Sequence, residues 1–333
     1  MIGAGAIVRT AHLPAYRRLG FTVAGIFDIK PDAAKDTART FNVPSVFNTL
    51  DEAAARKDAV FDVAVPGDQI QAIVERLPEG GAVLIQKPMG ENLEAARRIL
   101  AACRARRLVA ALNFQLRFSP NMLALRQLVQ EQRLGELTDI EVRIVDRQPW
   151  EQWSFLQTAP RLEVLYHSIH YLDAIRSLAG EPHGVYCRAV AHPELPAFRD
   201  TRSSIIVDYG DRLRCSLTLN HTHASKGHQR ASMFKVEGTA GAAVLTMGVN
   251  LDYPSGPPDE LEIAIDGGSW QPVALRGSWF TEAFEGPMSN LQRFVAGQDP
   301  ALVSPLDDAI KTMALVEACY RSSQSGATPI DRS

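Results

Sequence analysis

The first twenty-eight residues constrain this chain more than any other stretch. They read Gly3-Ala4-Gly5-Ala6-Ile7-Val8, then a helix-like run from Arg9 to Leu19, then the apolar run Phe21 to Phe27 closing on Asp28. That is the order of a βαβ unit that binds a dinucleotide. Two glycines let the backbone turn tightly and approach a pyrophosphate, and the following helix aims its first N–H groups at the anion. An acid at the end of the second strand accepts hydrogen bonds from a ribose diol. On this reading Gly3, Gly5, Ala6 and Ile7 lie against the cofactor's phosphates and Asp28 against its adenosine ribose. Two features depart from the fingerprint. Val8 stands at the third glycine position, and only Met1 and Ile2 precede Gly3, where a buried strand of about five residues is expected. The short start predicts a native protein that begins several residues upstream, with an apolar strand ending at Ile2.

Downstream, strand and helix alternate. Helices are expected over Pro31–Phe41, Asp51–Arg56, Asp68–Leu77 and Leu93–Arg106, and strands over Ser45–Phe47, Phe61–Pro66, Ala82–Ile85 and Val109–Asn113. The near-continuous apolar run Phe61-Asp62-Val63-Ala64-Val65 fits a parallel strand buried on both faces. The alternation predicts a parallel sheet covered by helices on both sides, over residues 1–116. Pro66, closing that run, is counted among the cofactor contacts.

From Arg117 the rhythm changes. Helices are expected at Ser119–Glu131, Leu162–Leu178, Phe284–Val295 and Pro305–Ser323. Between them fall strand-like runs at Leu137–Val145, Gly184–Ala191, Ser203–Asp208, Arg212–Asn220, Ala231–Glu237, Ala242–Thr246, Leu261–Ile265 and Pro272–Leu275. Residues 117–333 therefore read as an α+β domain built on one large sheet, antiparallel or mixed.

Bulk properties exclude other classes. At 333 residues the chain has room for two substantial cores. A formal charge of −3 offers no footprint for nucleic acid or an anionic membrane. Cys103, Cys187, Cys215 and Cys319 form no C-x-x-C pair, which predicts four buried thiols in a reducing cytoplasm and no zinc site. No apolar run reaches transmembrane length.

Four stretches carry candidate chemistry. Lys87 follows a buried strand and precedes a proline, so it lies at the carboxyl edge of the sheet, where open α/β folds bind ligands. It reads either as a donor to a substrate hydroxyl or as an exposed loop lysine. On the mid-chain helix, Tyr166, His170 and Asp173 are spaced i, i+4, i+7 and share one face at 100° per residue. Beside His167, that places a histidine near an acid and an aromatic hydroxyl, as a general base requires. The same residues also fit a packing interface in which Asp173 pairs with Arg176. Asn220-His221-Thr222-His223, with Lys226 and His228 behind, sets two histidines on one side of a strand end. With no acid or thiol next to them in sequence, no metal centre is expected, and a sugar-like substrate or a solvated loop remains open. Trp150, Trp153 and Phe155 either wall a pocket or pack their loop onto the core.

Taken together, these residues resemble the glucose–fructose oxidoreductase/inositol 2-dehydrogenase-like (Gfo/Idh/MocA) family along nearly the whole chain. The resemblance rests on Gly3-Ala4-Gly5-Ala6-Ile7 with His12-Leu13-Pro14, Lys87-Pro88 and Arg117-Phe118-Ser119-Pro120. It continues through Leu134-Gly135-Glu136-Leu137, His170-x-x-Asp173, Gly238-Thr239-Ala240-Gly241 and Ala318-Cys319-Tyr320-Arg321-Ser322-Ser323. It implies a Rossmann-like domain, a second, substrate-binding domain whose open, mostly antiparallel sheet makes homodimers or homotetramers, and hydride transfer between nicotinamide and the hydroxyl of a sugar, polyol or similar small alcohol. Lys87 then resembles the active-site lysine, His170 the proton-exchanging residue, and Asp173 a residue that orients the helix or contacts substrate. Tyr166, His167, Trp150, His221 and His223 are the substrate-side candidates.

Two positions depart from the family pattern. Gln86 stands where Glu usually precedes the lysine, and Tyr166 where an Asp often precedes the histidine by four. A neutral Gln86 favours a lower Lys87 pKa, and His170 loses an anionic partner. Asp28 favours NAD by repelling a 2′-phosphate, while Lys30 could offset that repulsion and admit NADP. Two other functions fit the same residues: a lyase or glycosidase using NAD without net redox change, or a non-catalytic sensor.

Overall fold

Three apolar runs of the N-terminal half become parallel strands, β1 (Val60–Val63), β2 (Ala82–Gln86) and β3 (Val109–Asn113), paired in that order. β2, between the other two, is buried at every position, as a strand covered on both faces must be. Parallel bridges continue the sheet past β1. Ile2 pairs with Val63 on one side and Phe27 on the other, and Ile26 pairs with Val46. The backbone bonds Ile2 N–H to Asp62 O (2.8 Å) and Gly3 N–H to Phe27 O (2.8 Å) fix that register. The lateral order is therefore Val46, Ile26–Phe27, Ile2, β1, β2, β3, which is the doubly wound arrangement.

The strands expected over Phe21–Phe27 and Ser45–Phe47 are not continuous; only Ile26, Phe27 and Val46 pair. The reason is local. The slot between Phe27 and Val63 is filled by one bridged residue, Ile2, so Phe21–Gly25 have no adjoining strand among the described residues. A cavity of about 450 Å³ lies there, lined by Phe21, Val23, Gly25, Ala59 and Phe61. The computed structural model describes residues 1–224 and 229–330.

Helices α1 (Leu13–Arg18), α2 (Pro31–Phe41), α3 (Leu50–Ala54), α4 (Ile70–Val74) and α5 (Leu93–Ala105) lie between these paired positions. α3 is shorter than the expected Asp51–Arg56, and α4 than Asp68–Leu77, where a 3₁₀ turn takes Gly67–Gln69. A π turn over Val8–His12 leads into α1, at the point where the fingerprint has Val8 in place of a third glycine.

The later elements are α6 (Pro120–Gln130), β4 (Leu137–Val145), α7 (Ile169–Ala179), β5 (Gly184–Val190), β6 (Arg202–Asp208), β7 (Arg214–Asn220), β8 (Ala231–Gly238), β9 (Gly241–Thr246), β10 (Glu260–Ile265), β11 (Gln271–Pro272), α8 (Glu285–Val295) and α9 (Leu306–Gln324). The eight strands form one sheet ordered β11-β10-β9-β8-β4-β7-β6-β5, antiparallel except where β4 meets β7. Alternation along β4, β6 and β7 puts Ile140, Val142, Ile144, Ile205, Val207, Leu217 and Leu219 into the core. Two glycine-containing turns about a hundred residues apart interlock at one end of this sheet. Glu136 N–H donates to Thr239 Oγ1 (3.1 Å), Thr239 N–H to Glu136 O (2.9 Å) and Ala240 N–H to Leu134 O (2.9 Å).

The chain forms two compact units, Met1–Ala124 with Leu275–Met313, and Leu125–Ala274 with Ala314–Ser333. Residues 275–313, which the sequence reading assigns to the second domain, thus belong to the first. Their apolar side chains explain it: Phe284, Met288 and Leu291 are buried against Val8, Leu13, Tyr16, Ala82 and Leu84. Each such burial stabilises by about 1.5–3 kcal/mol. Arg117, 6% exposed, ties the same segment down by donating to Val303 O (2.8 Å) and Asp308 Oδ2 (2.6 Å).

Candidate active site

In the first unit the glycine turn is specified sterically. Gly3 sits at φ +104°, and a Cβ there would lie 2.2 Å from Ala64 O, so only glycine fits. Gly5 is different: a Cβ there would meet nothing within 4 Å, which leaves its backbone approachable from outside. Gly5 and Ala6 are exposed and Ile7 is half-buried. The Asp28 carboxylate accepts from Ala4 N–H (2.7 Å) and Lys30 N–H (2.8 Å), so it is held beside the turn. Lys30 reaches Asp28 through its backbone, and its side chain is exposed. An open backbone at Gly5, a fixed turn at Gly3 and a positioned acid suit a dinucleotide.

Lys87 follows β2 directly, through a cis peptide bond to Pro88, and Pro66 is exposed just past the end of β1. Both therefore lie at the carboxyl edge of the parallel sheet. Burial pulls the Lys87 ammonium down to about 8. Gln86 is 7% exposed and its Oε1 accepts from Lys87 N–H (2.9 Å). Its Nε2 lies 3.4 Å from His12 Nε2, and Asn113 Nδ2 lies 3.3 Å from the same nitrogen. The other nitrogen of His12 meets Asp62 Oδ2 at 2.7 Å, and Tyr16 Oη donates to that oxygen at 2.5 Å. Asp62 is buried, and the neighbouring His12 and Tyr16 outweigh burial to hold its carboxyl below the usual range. This network is behind Lys87. A carboxylate inside an apolar strand was the signal for it, but its partners are 46 and 50 residues away.

In the second unit a π turn over Val164–Ser168 runs straight into α7. Asp200 holds its start, accepting from Leu162 N–H (2.9 Å) and Glu163 N–H (3.1 Å), with Tyr320 Oη donating to it at 3.2 Å. Burial, reinforced by Glu163, pushes the Asp200 carboxyl up to about 6. Along α7 nearly every side chain through Arg176 is buried, His170 at 5% and Asp173 at 1% exposure. Arg176 Nη1 is 4.0 Å from Asp173 Oδ1, while its closer partner is Glu181 at 2.5 Å.

The structure sorts the remaining candidates differently from a regular 100° periodicity. Tyr166 packs on Phe155 (ring centroids 5.9 Å) within the cluster of Trp150, Leu156, Leu162 and Phe198. His167 instead meets His221, with ring centroids 4.0 Å apart, and His170 at 6.2 Å. Trp150 presents its ring edge-on to His167 (6.2 Å) and His221 (5.6 Å).

His221 does have acids beside it, contrary to the sequence expectation. Its Nδ1 is 2.7 Å from Asp146 Oδ1 and its Nε2 3.6 Å from Glu163 Oε1. Both acids come from distant elements, so sequence adjacency could not reveal them. Between those two carboxylates the His221 imidazole is raised to about 9 despite its burial. His223 is half-buried, with its N–H on Asp146 O (2.9 Å); Lys226 and His228 lie outside the described residues. All four cysteines are free, and Cys187, expected to be buried, is only partly so because β5 is the sheet's edge strand. Among the described residues no helix is long and apolar enough to cross a membrane.

The sequence pattern of an oxidoreductase family with an NAD-binding Rossmann fold matches residues 1–114, and that of the Gfo/Idh/MocA C-terminal domain matches residues 122–244. The chain belongs to the Gfo/Idh/MocA family. An inositol 2-dehydrogenase of Rhizobium meliloti is 25% identical, over 97% of this chain and 95% of that protein. A D-apiose dehydrogenase of Paraburkholderia graminis is 24% identical, over 98% and 88%. The crystal structure of an oxidoreductase from Agrobacterium radiobacter with NAD+, L-tartaric acid and magnesium superposes with a TM-score of 0.81, at 19% identity, over 98% of this chain and 96% of that one. The first unit of this Gfo/Idh/MocA chain is thus built on an NAD-binding domain.

Proposed function

We propose that the chain is an NAD-dependent dehydrogenase that oxidises a secondary or anomeric hydroxyl of a sugar, polyol or related small alcohol. The observation that carries this reading is Lys87, a lysine with its pKa lowered to about 8 at the carboxyl end of a buried strand of an NAD-binding domain. The names of the inositol and D-apiose dehydrogenases support a polyhydroxylated substrate. Bound NAD supplies the hydride acceptor. Lys87 donates to the substrate oxygen and offsets negative charge as it develops there. His170, held in the buried α7, accepts the hydroxyl proton, with Asp173 supporting the orientation of that helix. His167 and His223, both half-buried, are the polar groups left for the substrate's other hydroxyls.

Asp28 favours NAD, because a 2′-phosphate would face its carboxylate. The reading includes a reducing, cytoplasmic setting, supported by the four free thiols, and a homodimer formed through the open face of the eight-stranded sheet. The test is NADH formation over a panel of sugars, polyols and sugar acids. At least one is oxidised, and Lys87→Met abolishes turnover while still binding NAD. Undiminished turnover in that variant removes Lys87 from the mechanism. Substrate consumed with no NADH released marks a non-redox reaction on the same scaffold.

A further inference from the structure

We propose that Glu163, His167 and His221 bind a divalent transition-metal ion in a centre inside the second unit. Each offers one ligand atom, and these atoms lie within 4.8 Å of one another. An ion bound at about 2.0–2.2 Å by nitrogen and oxygen ligands sets tetrahedral neighbours roughly 3.4 Å apart. His221 Nε2 and Glu163 Oε1 lie 3.6 Å apart. The pair is thus spaced for an ion between them, and too far apart for a normal hydrogen bond.

The surroundings are those of a supported centre. His221 commits Nδ1 to Asp146 Oδ1 (2.7 Å), which turns Nε2 toward Glu163. Asp146 is itself held by Gln148 Nε2 on its other oxygen (2.7 Å). This carboxylate–histidine pairing fixes tautomer and ring orientation in metal sites. Ser168 Oγ donates to Glu163 Oε1 (2.7 Å), which holds the carboxylate beside His221 and leaves lone pairs on both oxygens for the ion. Among the described residues Glu163 Oε2 and His221 Nε2 have no hydrogen-bond partner, and both residues are fully buried at 0% exposure. Such groups are costly to leave unsatisfied, and a dication satisfies both while offsetting the buried Asp146 and Glu163 charges. Trp150 walls the site against both imidazoles.

Two imidazoles and one carboxylate select zinc, or iron, cobalt or nickel in its place, over magnesium and calcium. Three protein ligands leave a coordination position for water or a substrate oxygen, as in catalytic zinc sites.

The test uses the full chain, stripped with chelator and then titrated with Zn²⁺ against a chromophoric competitor. One equivalent binds per chain, and Mg²⁺ does not displace it. His167→Gln and Glu163→Gln each weaken binding at least about 100-fold, and Asp146→Asn by about 10–100-fold. His183→Gln, at an exposed histidine, leaves it unchanged. Co²⁺ loaded into the unmodified protein gives the visible absorption of a low-symmetry, nitrogen-ligated ion, which keeps the test independent of how the variants fold. Failure of the unmodified protein to take up Zn²⁺ and Co²⁺, or uptake that survives both His167→Gln and Glu163→Gln, overturns the proposal. Neither result bears on NADH formation, so this reading and the dehydrogenase reading fail separately.

Discussion

Lys87 and its neighbour Gln86 set the pH behaviour expected of the reaction. Desolvation lowers the lysine to about 8, and the residue before it carries no charge to counter that. If the ammonium form orients the substrate oxygen, kcat/KM falls above about pH 8 as Lys87 loses its proton. Gln86→Glu places a carboxylate within a few ångströms, and an opposite charge at that range raises a lysine pKa by about 1–3 units. The alkaline limb therefore moves up by at least one pH unit in Gln86→Glu, measured as kcat/KM against pH. A limb that stays put shows that another group titrates. Lys87 also makes stability pH-dependent. Its folded pKa lies below its unfolded value of about 10.5, so its contribution is present above pH 10.5 and lost as pH falls through about 8. A second residue-scale outcome concerns Asp28. Asp28→Ala removes the charge facing a 2′-phosphate and weakens NAD relative to NADP by roughly tenfold in measured Kd, about 1.4 kcal/mol. These two residues were legible because a strand end announces itself in sequence. The Asp62–His12–Tyr16 network was not, since its members meet only when β1 and α1 pack.

Two elements carry π turns, Val8–His12 and Val164–Ser168, and these decide how far periodicity could be read. A π turn inserts a residue into the helical count, so positions after it rotate away from where 3.6 residues per turn would set them. That is why Tyr166 leaves the face it was expected to share with His170 and enters the aromatic cluster, while His167 swings onto His221. The helices that contain these turns were still legible, because apolar spacing over ten residues tolerates one inserted position. A three-residue constellation does not. The glycine turn gives the element-scale test. Gly3→Ala drives a Cβ to 2.2 Å from the backbone oxygen of Ala64, at a φ that L-residues rarely adopt. The expected outcome is loss of NAD binding together with about 1–3 kcal/mol of stability in denaturant unfolding, the range of strained or overpacked positions. Gly5→Ala has no such clash, so it weakens NAD binding while leaving the unfolding midpoint within error. Equal destabilisation by both would contradict the steric account.

At the scale of the whole molecule the open face of the eight-stranded sheet argues for association between copies. β5 is the sheet's edge strand, where free N–H groups would invite another strand. The end of α9 blunts it: Cys187 N–H donates to Ser322 Oγ (2.9 Å) and Ala189 N–H to Ser323 Oγ (3.0 Å). Edge-to-edge pairing is thereby blocked along β5, and the sheet face beside it carries exposed apolar side chains. Tyr186 and Ile206 are cross-strand partners on that face, 67% and 53% exposed. Continuing across the register, the same row passes through Ser216, Glu141, Lys235 and Val244, apolar at one end and mixed in charge at its centre. A two-fold axis through such a row would set each copy's Tyr186 and Ile206 against the other's β8–β9 end, and a lasting dimer needs about 800 Å² from each partner. Ile206→Asp puts an uncompensated carboxylate in the middle of that contact without touching the core side of β6. The prediction is a mass twice that of the chain in light scattering for the natural protein, and a single-chain mass at the same concentration for Ile206→Asp with an unchanged circular dichroism spectrum. A natural protein that already runs as a single chain, or a variant that still runs as a pair, places the contact elsewhere.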